Sequence, residues 1–120
     1  MGILYHAQKQ YKKAIACWEE ALAIYRNISD KSEEAAVLNN LGGAYGDMGD
    51  LDKSFTYITQ AYDIAKDMDY LDLHINVYES LTKIYSRKGD YKNALKYHQL
   101  YNTVKDSVFN LEKNKQLEEL

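Results

Sequence analysis

Proline is absent from the 120 residues, glycine occurs only 6 times, and Cys17 is the sole cysteine. Without proline and with few glycines the chain has little material for hairpin turns or broken helices, which favours an all-α fold. A single thiol excludes intrachain disulfides and sites built from several cysteines, and it leaves the redox compartment open. Long apolar runs are missing too. No uncharged stretch approaches the ~18 residues a membrane span needs, and no basic stretch with an apolar signal core follows Met1, so direct membrane insertion is not expected.

A clustered basic face is also lacking. The 15 basic and 18 acidic residues leave a net charge of −3. Residues 1–18 carry Lys9, Lys12 and Lys13 with no acid, residues 19–72 hold 12 acids against 4 bases, and residues 73–120 hold 6 acids against 8 bases. An acidic middle with mixed ends cannot neutralise a phosphate backbone, so nucleic acid is a poor partner. What the chain does have is an ordinary globular composition, 46% hydrophobic and 28% charged, and a length suited to one domain. Tyrosine is abundant, at 12 residues.

Three segments align with one another. Tyr11-Lys-Lys-Ala14-Ile-Ala-Cys-Trp18-Glu-Glu-Ala21, Leu51-Asp-Lys-Ser54-Phe-Thr-Tyr-Ile58-Thr-Gln-Ala61 and Tyr91-Lys-Asn-Ala94-Leu-Lys-Tyr-His98-Gln-Leu-Tyr101 place large and small residues at equal spacing, 40 residues apart. The same offset relates Gly2 and Tyr5 to Gly42 and Tyr45 and to Thr82 and Tyr85, and it relates Gly49-Asp50 to Gly89-Asp90. Within the blocks, Tyr11, Ile15, Trp18, Leu22 and Tyr25, then Leu38, Leu41, Tyr45 and Met48, then Leu51, Phe55, Ile58, Tyr62 and Ala65 recur at helical spacing. Gly49 and Gly89 can take the left-handed conformation that ends a helix, and Asp50 and Asp90 can cap the next one. Each repeat therefore reads as an antiparallel helical hairpin.

The pattern Leu41-Gly42-x-x-Tyr45-x-x-x-Gly49-Asp50-Leu51-x-x-Ser54 followed by Ala61 resembles the tetratricopeptide repeat, as does Leu81-x-x-x-Tyr85-x-x-x-Gly89-Asp90-Tyr91-x-x-Ala94. The period of 40 exceeds the family's usual ~34. The additional residues fall at 26–34 and 66–74, where they are expected to lengthen the helices by about a turn each, the absent proline fitting a second helix that simply continues. The division expected is one array: repeat 1 over 1–34, repeat 2 over 35–74, repeat 3 over 75–107 and a helical extension over 108–120. Met1 stands where the family has Leu, so the first helix is expected to be a stub of about residues 1–8, frayed or completed by a neighbouring molecule. The chain then reads as a piece of a longer array.

Chemistry finds little support. His98 superficially resembles a sensor-kinase histidine box, but it lacks that box's proline and holds the repeat position of Trp18 and Ile58, which predicts packing. Gly42, Gly43, Gly46 and Gly49 followed by Lys53-Ser54 do not have phosphate-loop spacing. Asp47, Asp50 and Asp52 lack the glycine and terminal Glu of a calcium loop. His6, His74 and His98 are dispersed over the repeats, so no metal site is expected, and Cys17 beside Trp18 reads as a small, partly buried side chain. No cofactor and no enzymatic activity are expected.

The resemblance implies a right-handed superhelix whose concave face, lined by the first helix of each pair, holds an extended or helical peptide. By repeat position the facing residues are Ile3 and His6; Ala36, Asn39, Asn40, Gly43 and Asp47; and Asn76, Glu79, Ser80, Lys83 and Arg87. Asparagine amides can bond peptide groups, and Lys83 with Arg87 can meet a carboxylate. Family members that clamp the C-terminal carboxylate of heat-shock chaperones use Lys and Arg where this chain has Asn76 and Ser80, and only Asn40 matches that clamp. The segment from Tyr91 to Phe109 resembles the last repeat of arrays in bacterial signalling proteins, ahead of a histidine kinase or DNA-binding output domain. The expected function is thus a non-catalytic protein-interaction module of a larger bacterial regulator. The alternative is a spacer that self-associates through the first helix or through the helix from Val104 to Leu120.

Overall fold

The computed structural model describes residues 2–119, with side chains from Gln10 onward. Five helices follow in order: α1 (Gly2–Asn27), α2 (Lys31–Asp47), α3 (Leu51–Ala65), α4 (Leu71–Arg87) and α5 (Tyr91–Glu118), with no strand among the described residues. The fold is all-α.

Three of the four turns share one construction. Asp30, Asp50 and Asp90 each cap the following helix, their carboxylates accepting from the amides of Glu33, Lys53 and Asn93 at 3.3, 3.2 and 3.2 Å. The backbone amide of each aspartate in turn donates to the carbonyl of Tyr25, Tyr45 or Tyr85 at 2.9 Å, closing off the preceding helix. The residue before the aspartate has positive φ: Gly49 at 89°, Gly89 at 81°, and Ser29 at 58°. Glycine meets this requirement without a Cβ penalty, and Ser29 meets it with one. The fourth turn, Lys66–Tyr70, lacks the device, and Tyr70 makes no side-chain cap. There His74 Nε2 donates to the Met68 carbonyl at 2.6 Å. One repeat earlier, buried Glu34 ties the start of α2 to Arg26 and Lys31, each at 3.3 Å.

α2 and α3 form one antiparallel hairpin and α4 and α5 the next; α1 packs on α2, α3 on α4, and α2 on α4. Leu38 and Leu41 of α2, Ser54 and Ile58 of α3, and Val77, Leu81 and Ile84 of α4 are sealed from solvent. Close approach within the first hairpin depends on Gly42. A Cβ there would collide with Ile58, and its carbonyl accepts a 2.6 Å hydrogen bond from Ser54 Oγ. The radius of gyration is 16.2 Å, against about 14 Å for a compact chain of this length, which fits a stack that grows along one axis.

Three expectations need correction. The first helix is not a stub: α1 runs unbroken through residues 9 and 10, because Lys9-Gln10 replace the Gly-Asp pairs at 49–50 and 89–90, so neither a left-handed residue nor a cap interrupts it. The additional residues at 26–34 do lengthen α1 and α2 around a short turn, but α3 does not continue through 66–70. Asp67 and Asp69, poor helix formers, lie in that linker instead. The expected repeat divisions at 34/35 and 74/75 fall inside α2 and α4, since both helices begin ahead of them.

Candidate functional site

A cleft of about 100 Å³ lies between the first helices of the two hairpins, with Gly43 and Asp47 from α2, Ser80, Lys83, Ile84 and Arg87 from α4, and Ser54 and Ile58 of α3 at its base. The helix periodicity explains the lining. Gly43 and Asp47 are one turn apart, as are Ser80 and Ile84, and Lys83 and Arg87, so each helix presents one strip to the cleft. Gly43 has open space where a side chain would stand. A wider, shallower depression of about 620 Å³ adjoins at the turns, bounded by Gly49–Asp52, Arg87 and Lys88, so Arg87 borders both.

The electrostatics are internally paired. Arg87 Nη2 donates to Asp47 Oδ1 at 3.3 Å across the two hairpins, and Lys83 pairs with Glu79 at 3.0 Å. Tyr11 of α1 donates to the other oxygen of Asp47 at 3.4 Å, so this α2 carboxylate is approached from two other helices, α1 and α4. All four charged groups remain roughly half-exposed.

Of the residues assigned to this face from sequence, Gly43, Asp47, Lys83 and Arg87 line the cleft, together with Ser80. Asn40 and Asn76 are exposed outside it, and Glu79 enters only through its bond to Lys83. Asn39 is half-buried, with its carbonyl oxygen sealed from solvent and without a hydrogen-bond partner among the described residues. The side chains of Ile3 and His6 lie outside the described residues. Sequence reasoning missed Ser54 and Ile58, which belong to the second helix. Gly42 and Gly46 were the available signal. They thin α2 enough for α3 to reach the cleft floor, and a Cβ on Gly46 would stand 3.0 Å from Ser54 Oγ and 2.8 Å from the Arg87 guanidinium.

Two other expectations change. His98 is exposed and stacks on Tyr101 with ring centroids 6.2 Å apart, because its equivalent Ile58 is buried under α4 and no described helix lies over α5 in that way. Cys17 is exposed as well. The three aspartates near the first hairpin turn are separately engaged, Asp47 by Tyr11 and Arg87, Asp50 as a cap, and Asp52 with Lys88 at 4.0 Å. Among the described residues no three His, Cys, Asp or Glu side chains gather in a way that would hold a metal ion, and no helix is long and apolar enough to cross a membrane.

A family model described as the tetratricopeptide repeat matches residues 1–67 and again 33–101. The chain belongs to the tetratricopeptide repeat family. No curated protein matches it. Tetratricopeptide repeats generally mediate protein–protein interaction and are typically non-catalytic. The hairpins, the glycine-mediated crossing of α2 and α3 and the contact between α2 and α4 are this chain's version of the repeat stack.

Proposed function

We propose that the cleft between α2 and α4 binds a segment of another protein, extended or helical, that presents a carboxylate to Lys83 and Arg87. One observation supports this most. Both cations stand at the cleft half-exposed and, among the described residues, held by ion pairs with Glu79 and Asp47, and exposed pairs of this kind are worth only about 0–1 kcal/mol, so a ligand carboxylate can take over at small net cost. The backbone is already in place, so little ordering is required of the scaffold. The role is non-catalytic: binding and positioning suffice for every polar group at the cleft, Ser54 being committed to the Gly42 carbonyl.

Selection of peptides from a random library on the intact chain, followed by titration, tests the reading. The selected binders should lose about ten-fold or more in affinity in Lys83→Ala/Arg87→Ala and bind Lys92→Ala as they bind the wild type. Equal affinity for the double variant would remove the assignment.

A second reading comes from α5. It spans 28 residues against 17 in α4, and its far end exposes Phe109, Leu111 and Leu117. On this reading the array is a spacer in a larger bacterial regulatory protein, joined through α5 to an output domain and self-associating there. A lower mass by light scattering for Phe109→Lys/Leu111→Lys than for the wild type would support it, and an equal mass would count against it.

A further inference from the structure

The second helix of each hairpin carries a stripe that its own first helix covers. On α3 and just beyond, the stripe is Ser54, Tyr57, Ala61, Ile64 and Met68; on α5 it is Ala94, Tyr97, Tyr101, Val104 and Val108. All ten are buried or half-buried. Ser54 bonds the Gly42 carbonyl, Tyr57 stacks on Tyr45, and Tyr97 stacks on Tyr85. At the same repeat positions α1 and the turn after it carry Ala14, Cys17, Ala21, Ile24 and Ile28. That stripe is open in part: Ala14 and Ala21 are half-buried, Cys17 is exposed, and Ile24 and Ile28 are 59% and 61% exposed. α1 packs on α2 alone among the described helices.

The sequence that covers such a stripe is present in the chain. Residues 2–8 hold Gly2 and Tyr5 at the offset of Gly42 and Tyr45. They are joined to the stripe by unbroken helix, with Lys9-Gln10 in place of Gly-Asp, so they point away from it along the same axis and cannot fold back onto it. The corresponding segment of another molecule can arrive antiparallel, as α2 does on α3.

We propose that the open stripe of α1 is the docking surface for a second copy of this chain, in a two-fold exchange. Two α1 helices lie antiparallel about an axis at Tyr11, and residues 2–8 of each cover Ala14, Cys17 and the start of the turn of helix at Ala21 of the other. The arrangement is isologous and closes on itself, as an exchange of identical elements requires. The small side chains at 14, 17 and 21 allow close helix contact. In register with Tyr45 on Tyr57 and Tyr85 on Tyr97, position 5 of one copy stands opposite position 17 of the second copy. The two Cys17 residues, each six positions from the axis, stand about 18 Å apart and do not meet. Lys9, Lys12 and Lys13 of both copies gather near the axis, so association strengthens as salt screens them.

The exchange is independent of the cleft between α2 and α4, whose residues it leaves untouched. Its test uses mild oxidation of the intact chain with non-reducing electrophoresis, together with light scattering across concentration. The expected results are a dimer, a covalent dimer in Tyr5→Cys, and no cross-link in the wild type. Lys9→Gly/Gln10→Asp restores the turn chemistry. It should raise the dimer dissociation constant about ten-fold or more with helix content kept, and in that background Tyr5→Cys should close within one chain. A monomer at all concentrations, an intrachain bond or no bond in Tyr5→Cys alone, or a wild-type dimer linked through Cys17 would each overturn the proposal.

Discussion

Tyr85 lies flat on Tyr97, with ring centroids 5.6 Å apart and planes 1° apart, and the arrangement repeats that of Tyr45 on Tyr57, at 5.5 Å and 7°, 40 residues earlier. Tyr97 also meets Tyr62 and Tyr78, so it joins both helices of its own hairpin to α3. Removing that ring opens a gap between three helices. Tyr97→Ala should lower unfolding stability by about 2–4 kcal/mol and Tyr97→Phe by less than about 1 kcal/mol, measured by urea denaturation, whereas Tyr91→Ala, at a 71% exposed site, should stay within about 0.5 kcal/mol of the wild type.

The same cluster sets an alkaline limit. Burial pushes the phenols of Tyr45, Tyr78, Tyr85 and Tyr97 above their ordinary value, with lesser contributions from neighbouring tyrosines and, for Tyr45 and Tyr85, nearby carboxylates. Because the folded state holds these protons more tightly than the unfolded state, their contribution is fully present below about pH 10 and is lost as pH rises through the folded values. Urea midpoints should therefore fall above about pH 10. The fall should be shallower in Tyr85→Phe/Tyr97→Phe, and identical slopes would show that these phenols do not carry it.

Ser29 occupies a conformation that its glycine counterparts before Asp50 and Asp90 adopt freely. Ser29→Gly should raise stability by about 0.5–1 kcal/mol, and Gly89→Ala should lower it by about 1 kcal/mol or more. Thermal melts of the two variants give the signs directly.

Adjacent glycines on α2 should respond in opposite directions. Gly42→Ala forces Ile58 and α3 away and should cost about 1–3 kcal/mol. Gly43→Ala meets open space and should gain up to about 1 kcal/mol from helix propensity.

The hairpins were legible in the sequence because their determinants are local. Gly49-Asp50 and Gly89-Asp90 state the turn, and the spacing of Leu51, Phe55 and Ile58 states the buried face. The turn at Ser29-Asp30 was not legible, since serine rarely accepts positive φ and only the closing bond from Asp30 to Tyr25 reveals it. The continuity of α1 was written in Lys9-Gln10 as the absence of a signal, and the family pattern of Gly2 and Tyr5 argued against it. For the cleft, repeat position found Gly43, Asp47, Lys83 and Arg87. It did not find the pairing of Lys83 with Glu79 and of Arg87 with Asp47, because a pattern of residues records which side chains share a face and not which charges meet across it.

The most direct test of the cleft as the ligand face places a photo-cross-linking side chain at Gly43, where there is open space, and at Gln60, an exposed site on α3 outside the cleft lining. Peptides selected on the chain should cross-link from position 43 and not from position 60. Cross-links from position 60 with none from position 43 would contradict the account.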